Sequence, residues 1–215
     1  MCSSGDGYLQ FIDANALMAL AERKDVVMRL EFHPGHYVVA GGPLLRVWPT
    51  GQRNDEFAQE VNAAFALGNQ RTSGQDIEFA LFELVEIVVR ALSPGINNPF
   101  TAIACIDRLG SALCRLATRE MLSPYRHDSD GQLRVIAPSS SFPAMLDAGF
   151  DQIRQYGRSS VAVSIRLMET LVLITAFAYR SADRAAILRH AQMIRRAAWL
   201  SFAEQKDREA LEKPY

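Results

Sequence analysis

The sequence predicts an α+β fold, in which a small β-rich module comes first and a mainly α-helical bundle follows. Up to residue 52, short apolar runs are separated by Gly and Pro turn residues, which is typical of strands. From residue 53 on, apolar residues recur at helical spacing. We therefore expect domains at 1–52 and 53–215, with a β-hairpin inserted near 124–141.

In the first module, strands are expected at Tyr8–Ile12 and Val26–Phe32, and two shorter ones within His33–Pro49. This last segment contains the pattern Pro-Gly-x-x-Val-x-x-Gly-x-Pro-Leu, which resembles one half of the barrel-sandwich fold of biotinyl and lipoyl carriers. Such carriers attach their group to a lysine in a tight hairpin. The lysine of this region, Lys24, lies outside such a turn, so the pattern predicts a shape and not a carrier activity.

Seven helices are expected, the first of them short, because apolar residues recur on one side and capping or breaking residues flank them. Their ranges are 14–22, 55–67, 75–92, 99–118, 143–156, 160–179 and 182–202, and a short helix follows. Between the fourth and fifth, Asp130-Gly131 indicates the turn of the hairpin.

Composition excludes several classes of protein. Of 215 residues, 49% are hydrophobic and 22% are charged, which is ordinary for a globular protein. The net charge of −1 gives no reason to expect a nucleic acid partner. The three cysteines, Cys2, Cys105 and Cys114, form no CxxC pair, which argues against a disulfide framework and a thiolate zinc site.

No segment is expected to cross a membrane. The most apolar run, Leu171–Tyr179, is far shorter than the roughly 20 residues that a spanning helix needs. The N-terminal residues are polar and do not form the apolar core of a signal peptide. The chain as given is therefore expected to be soluble.

Three stretches carry a resemblance to a known family. They read GYLQFID…LMALAERKDVVMRLEFHPGHYVVAGGPL, RTSGQDIEF…LVEIVVRALSPGINNPFTAIACIDRL and IRQYGRSSVAVSIRLMETL. Together they resemble the domain of unknown function 2254 family of predicted bacterial membrane proteins, from Gly7 to about Phe202. The segment from Arg71 to Leu109 is the most specific part of the resemblance.

The resemblance implies a place in a larger protein. Members of that family typically begin with several transmembrane helices, after which this region follows, and their biochemistry is unassigned. We therefore expect the extramembrane part of an inner-membrane protein, tied to the membrane through helices that precede it. The sparse cysteines favour the cytoplasmic side. Relatives usually have Asn-Asp-Pro where this chain has Asn97-Asn98-Pro99, and the missing charge argues against a metal there.

Two segments could hold a ligand. Arg71 could clamp a phosphate or carboxylate, although Thr72, Ser73 or Asp76 could instead cap the next helix. The loop Ser93–Pro99 is stiffened by prolines and precedes a helix N-terminus, whose free amides could donate hydrogen bonds to a small anion or a lipid headgroup. Alternatively, it is a stiff joint between helices. The candidate ligand-binding residues are Arg71, Asp76, Arg90, Ser93, Asn97, Asn98, Thr101 and Asp107.

Other patterns carry weaker alternatives. An enzyme could use Glu83, Glu86 and Asp107 as acid and base, although Glu86 is also spaced for an ion pair with Arg90. The pair His33 and His36 could bind a transition metal, but no third ligand is near in sequence. The last helices carry five arginines that could meet RNA or anionic lipid, or form a solvated face: Arg180, Arg184, Arg189, Arg195 and Arg196.

The leading functional hypothesis is a non-enzymatic domain that senses, regulates or organises, with a small anionic ligand at the Arg71 and Asn97 region. The alternatives are a hydrolase-like enzyme that uses the helix carboxylates, and an oligomerisation module. A homo-oligomer is expected, whereas catalytic residues, a cofactor, a metal ligand and a nucleic acid partner are not.

Overall fold

The computed structural model describes residues 1–52 and 54–211, and it confirms the α+β fold. By contacts, the chain forms two units. Of the described residues, the first contains Met1–Phe79 and Leu122–Ser139, and the second contains Ala80–Met121 and the residues from Ser140 to Leu211. The division into domains at 1–52 and 53–215 stays a prediction. Among the described residues, no helix has the length and apolarity needed to span a membrane.

The first unit consists of two small sheets and two helices. Its elements are β1 (Gly7–Ile12), α1 (Ala14–Lys24), β2 (Val27–Leu30), β3 (Tyr37–Val38), β4 (Leu45–Trp48), α2 (Asp55–Ala63), β5 (Phe65–Gly68), β6 (Tyr125–His127) and β7 (Leu133–Ile136). One sheet has the order β3-β1-β5, and the other has the order β4-β2-β7-β6 with β2 and β7 parallel. Alternating residues of both sheets share a core with one side of each helix. The barrel-sandwich likeness stays a prediction.

One expected helix is shorter than its pattern indicates. The helix predicted over 55–67 ends at Ala63, and residues Phe65–Gly68 form β5 instead. This strand pairs antiparallel with β1, and Ile12 lies opposite Phe65. The apolar residues after Ala63 therefore reach the core through strand pairing, which local helical spacing could not reveal.

The predicted hairpin is present as β6 and β7, which pair antiparallel. Its loop is longer than the two residues expected. The carbonyl of Asp128 accepts a hydrogen bond from the amide of Gly131, whose φ is +78°, as in three-residue hairpin loops with glycine at the left-handed position. A hydrogen bond from Arg134 is the main reason that the pKa of the Asp128 carboxyl lies below its usual range.

The second unit is helical. It contains α4 (Pro99–Ala117), α5 (Phe142–Tyr156), α6 (Val161–Thr175), α7 (Ser181–Ser201), α8 (Gln205–Ala210) and nearly all of α3 (Phe79–Ala91). Apolar faces of α3 to α7 form one continuous core. The predicted helices over 99–118, 143–156 and 182–202 correspond to α4, α5 and α7 within a residue or so at each end.

A glycine sets the distance between α4 and α6. A Cβ built on Gly110 would lie 2.5 Å from the Cγ2 of Thr170, closer than two carbon atoms can approach. Arg166 and Thr170 of α6 therefore come directly beside Asp107 and Gly110 of α4. This close approach places polar side chains of both helices at one surface of the second unit.

Candidate functional site

The predicted ligand-binding residues Arg71 and Asp76 bind each other in the first unit. Two nitrogens of Arg71, Nε and Nη2, each lie 2.7 Å from Oδ2 of Asp76. The Asp76 side chain is 2% exposed, and its Oδ1 accepts a hydrogen bond of 3.1 Å from the amide of Phe79, at the start of α3. Asp76 therefore caps α3 and neutralises Arg71 at the same time.

Gln75, next to Asp76 in sequence, connects this segment to strand β1. The side-chain amide of Gln75 accepts a hydrogen bond from the amide of Ile12 and donates one to its carbonyl, at 2.9 and 3.2 Å. Gly35 packs against the ion pair, because a Cβ built on it would lie 2.2 Å from Oδ2 of Asp76. We call Gly35, Arg71 and Asp76, which surround the buried Asp76 carboxylate, the buried corner.

Two histidines lie beside the buried corner. The rings of His33 and His36 are tilted by 40° with their centroids 3.7 Å apart, and Nδ1 of His33 lies 2.8 Å from the carbonyl oxygen of Pro34. Partial burial, and then the proximity of His33, lower the pKa of His36 below its usual value of 6.5. Within residues 1–52 and 54–211, no cluster of three or more His, Cys, Asp or Glu could hold a metal ion.

The lowered pKa of His36 predicts a dependence of stability on pH. Because the unfolded chain binds a proton at His36 more readily than the folded chain does, the free energy of unfolding should fall as the pH drops below 6.5. In the variant His36→Gln this decrease should be smaller. Urea unfolding above and below pH 6.5 measures it, with His127→Gln as the control at an exposed histidine. An unchanged pH dependence in His36→Gln would contradict the prediction.

The loop Ser93–Pro99 is an ordered joint between α3 and α4. Ser93 accepts backbone hydrogen bonds from Ile96 and Asn97, and its hydroxyl donates to the carbonyl of Arg90 at 2.7 Å. Asn97 adopts a φ of +45°, which asparagine tolerates better than most residues. These bonds turn the chain sharply into α4.

The next residue of the joint is a helix cap. The Oδ1 of Asn98 accepts a hydrogen bond of 3.2 Å from the amide of Thr101, and Pro99 occupies the first turn. An aspartate at this position could make the same bond, so the exchange of Asp for Asn keeps the local geometry. Asn98 and Thr101 are thus engaged with each other.

Large apolar side chains project from this joint. Phe100, in the first turn of α4, is 83% exposed, and Ile96, whose amide donates to the carbonyl of Ser93, is 55% exposed. Scattered apolar residues are common on protein surfaces, whereas these two lie four residues apart at a hydrogen-bonded turn. We call Ile96 and Phe100 the joint surface.

The remaining predicted residues of the second unit have charged partners. Arg90 forms an exposed ion pair of 2.7 Å with Glu86, one helical turn earlier. Asp107 lies 3.1 Å from Nε of Arg166, whose Nη1 contacts Glu169 at 3.0 Å. Asp107, Arg166 and Glu169 line a concavity of about 240 Å³ between α4 and α6, in which two carboxylates face one guanidinium. That charge balance does not favour a small anion.

Sequence reasoning missed some residues of these arrangements. Arg166 and Glu169 lie in the string IRLMETL, which helped to establish the family resemblance, but their distance in sequence from Asp107 concealed the contact. Gly35 was taken only as a turn residue, and Gln75 only as the start of a helix. The signal available for Gln75 was its position just before an acidic cap.

Comparison with known proteins places the chain among proteins of unassigned biochemistry. Residues 1–172 match the family described as predicted membrane protein, domain of unknown function 2254. Uncharacterized proteins of Mycobacterium bovis and of Mycobacterium tuberculosis strain H37Rv are each 34% identical to it over 206 residues, or 94% of this chain. No solved structure matches the chain.

The match covers only part of the relatives. The chain spans 40% of the length of each of these two mycobacterial proteins. The family profile covers the buried corner, the joint surface and the contact of Asp107 with Arg166. With that profile over most of its length and relatives above 30% identity, the chain belongs to the family of predicted membrane proteins with a domain of unknown function 2254.

Proposed function

We propose that this chain is an assembly module, outside the membrane, of a larger membrane protein, and that its second unit binds a second copy of itself through the joint surface. The observation that carries the proposal is the exposure of Phe100 and Ile96 at a hydrogen-bonded turn. An apolar anchor that is already ordered loses little conformational freedom on binding. Large exposed apolar side chains near the centre of a contact contribute much of its affinity.

The partners of the predicted ligand-binding residues support assembly more than ligand binding. Arg90, Asn98 and Asp107 have partners within the second unit, and Arg71 and Asp76 have partners within the first. A ligand at any of these residues would have to displace an existing hydrogen bond or ion pair. Binding of a small anion or lipid headgroup at the predicted residues remains a prediction with less support.

Two of the three candidate acids and bases also support a non-enzymatic role, and the third, Asp107, is paired with Arg166. Glu83 and Glu86 are exposed, and Glu86 is paired with Arg90 in a position where solvent surrounds both groups. Enzymes usually keep such carboxylates in a pocket that alters their pKa. The enzyme hypothesis therefore has less support than assembly.

From the sparse cysteines we also infer that the domain faces the cytoplasm.

Contact between identical copies has a geometric consequence. In a two-fold dimer, the same patch meets itself, so each of its residues contributes twice. Replacing Ile96 and Phe100 by serine should therefore remove four apolar side chains from the interface and weaken association at least about a hundredfold. Because both side chains are exposed in the single chain, its free energy of unfolding should change little.

Sedimentation velocity over a range of protein concentrations tests the proposal. The unmodified chain should shift from monomer to dimer, and the variant Ile96→Ser with Phe100→Ser should stay monomeric. A matched control is Tyr156→Ser with Val172→Ser, which removes two exposed apolar side chains of the same unit. A monomeric unmodified chain at every concentration, or equal weakening by the control, would overturn the proposal.

A further inference from the structure

The concavity between α4 and α6 has charges of both signs on its walls. Asp107 of α4 approaches Nε of Arg166 of α6 to 3.1 Å, and Glu169, about one turn further along α6, contacts Nη1 of the same guanidinium at 3.0 Å. The buried residues Gly110 and Thr170 line the same concavity, which has a volume of about 240 Å³. We call this concavity the α4–α6 cleft.

The ion pair across the cleft can open without moving the helices. The side chains of Asp107 and Arg166 are 50% and 40% exposed. An exposed ion pair stabilises a fold little, because water solvates both groups once they separate. The two helices are held together independently of this pair, by the contact of Thr170 with Gly110 and by the core side chains of both helices. The two charged side chains can therefore part while their backbones stay in place.

A ligand that enters between Asp107 and Arg166 has to replace the contact that it breaks. An anion would pair with Arg166 but would add a third negative charge beside Asp107 and Glu169, and an amine would pair with Asp107 but would repel the guanidinium. A molecule with an ammonium and a carboxylate on one carbon atom pairs with both side chains, so that two ion pairs form where one was broken. Free α-amino acids have this arrangement, whereas residues within a peptide lack both charges.

The dimensions and the remaining wall of the cleft favour a small aliphatic ligand. Sites for drug-sized ligands have volumes of roughly 300 Å³ or more, whereas the α4–α6 cleft has about 240 Å³. Leu173 lines it beyond the charged residues and is 53% exposed, so its side chain offers an apolar surface to a ligand. An aliphatic side chain on the ligand would remove this surface from water.

We propose that the α4–α6 cleft binds a free α-amino acid with an aliphatic side chain, with its ammonium on Asp107 and its carboxylate on Arg166. Glu169 keeps its contact with Nη1 of Arg166 and orients the guanidinium, which makes it a positioning residue. The ligand side chain lies on Leu173. The proposal does not depend on self-association, because the α4–α6 cleft and the joint surface share no residue.

Isothermal titration of the whole chain with L-leucine tests the proposal. L-Leucine should bind saturably, whereas isocaproate, which lacks the ammonium, and isoamylamine, which lacks the carboxylate, should each bind at least about tenfold more weakly. The variant Arg166→Gln should weaken the binding of L-leucine by a similar factor. The matched control is Arg189→Gln, which breaks another half-exposed ion pair between two helices of the same unit and should bind L-leucine as the unmodified chain does.

A second variant separates loss of binding from loss of the fold. Asp107→Asn keeps the size of the side chain but removes its charge, so it should weaken the binding of L-leucine while the midpoint of urea unfolding stays that of the unmodified chain. Absence of saturable binding of L-leucine up to about 10 mM would overturn the proposal. Equal binding of isocaproate or isoamylamine, or equal weakening by Arg189→Gln, would overturn it as well.

Discussion

Replacing Gly35 by alanine should lower the free energy of unfolding by about 3–5 kcal/mol. Gly35 has a φ of +96°, a conformation that L side chains rarely adopt, and a Cβ there would lie 2.2 Å from Oδ2 and 2.7 Å from Cγ of Asp76. The substitution therefore strains the backbone and pushes apart a buried ion pair. Urea unfolding of the variant and of the unmodified chain measures the difference.

Gly74→Ala is the matched control for this experiment. A Cβ on Gly74 would meet no atom within 4 Å, and its φ lies outside the left-handed range. That variant should change the free energy of unfolding by less than about 1 kcal/mol. A loss of stability in Gly35→Ala no larger than in Gly74→Ala would contradict the close packing of Gly35 against Asp76.

Replacing Asp76 by alanine should lower the free energy of unfolding by about 3 kcal/mol. The change removes the cap of α3 and leaves Arg71, whose side chain is only 22% exposed, without its carboxylate. The cost should be near the lower end for a broken buried pair, because Arg71 can still reach water. Chemical denaturation followed by circular dichroism measures it.

A double-mutant cycle separates the ion pair from the cap. Arg71→Met removes the charge but keeps part of the apolar stem, and combining it with Asp76→Ala should cost less than the sum of the two single changes. The remaining cost of the double variant is that of the lost helix cap. Strict additivity would mean that Arg71 and Asp76 do not stabilise each other, contrary to the 2.7 Å contacts between them.

Local chemistry made much of the fold predictable. Asn98 and Pro99 start α4 where the sequence indicates, because capping and proline geometry act over a few residues. Asp13 caps α1 in the same way, with its side chain accepting from the amide of Ala16. Elements whose ends depend on contacts between neighbours in sequence were therefore predicted within one or two residues.

Contacts between distant residues made the rest unpredictable. Strand β5 was predicted as the end of a helix, because only its pairing with β1 distinguishes it. Helix α3 begins at Phe79 and not at Gln75, because Gln75 binds the backbone of Ile12, 63 residues earlier. The partner of Asp107 is Arg166, and no spacing rule joins residues on two separate helices.

The candidate site shifts from polar residues to exposed apolar ones for the same reason. Sequence patterns drew attention to polar residues such as Arg71 and Asp107, whose partners become visible only in the folded chain. Phe100 attracted no notice, because an apolar residue in a helical pattern is expected to be buried. Its exposure of 83% is a property of the fold, and it directs the functional proposal to the joint surface.

Cysteine cross-linking tests self-association through the joint surface most directly. Gly95 lies in the joint, a Cβ there would meet no atom within 4 Å, and the variant Gly95→Cys keeps Ile96 and Phe100 intact. In a Cys2→Ser background, which removes the exposed native thiol, a short bis-maleimide should join two copies into covalent dimers. Gly74→Cys, in the same background, should give none. Equal yields from both variants, or no dimer from Gly95→Cys, would contradict assembly through the joint surface.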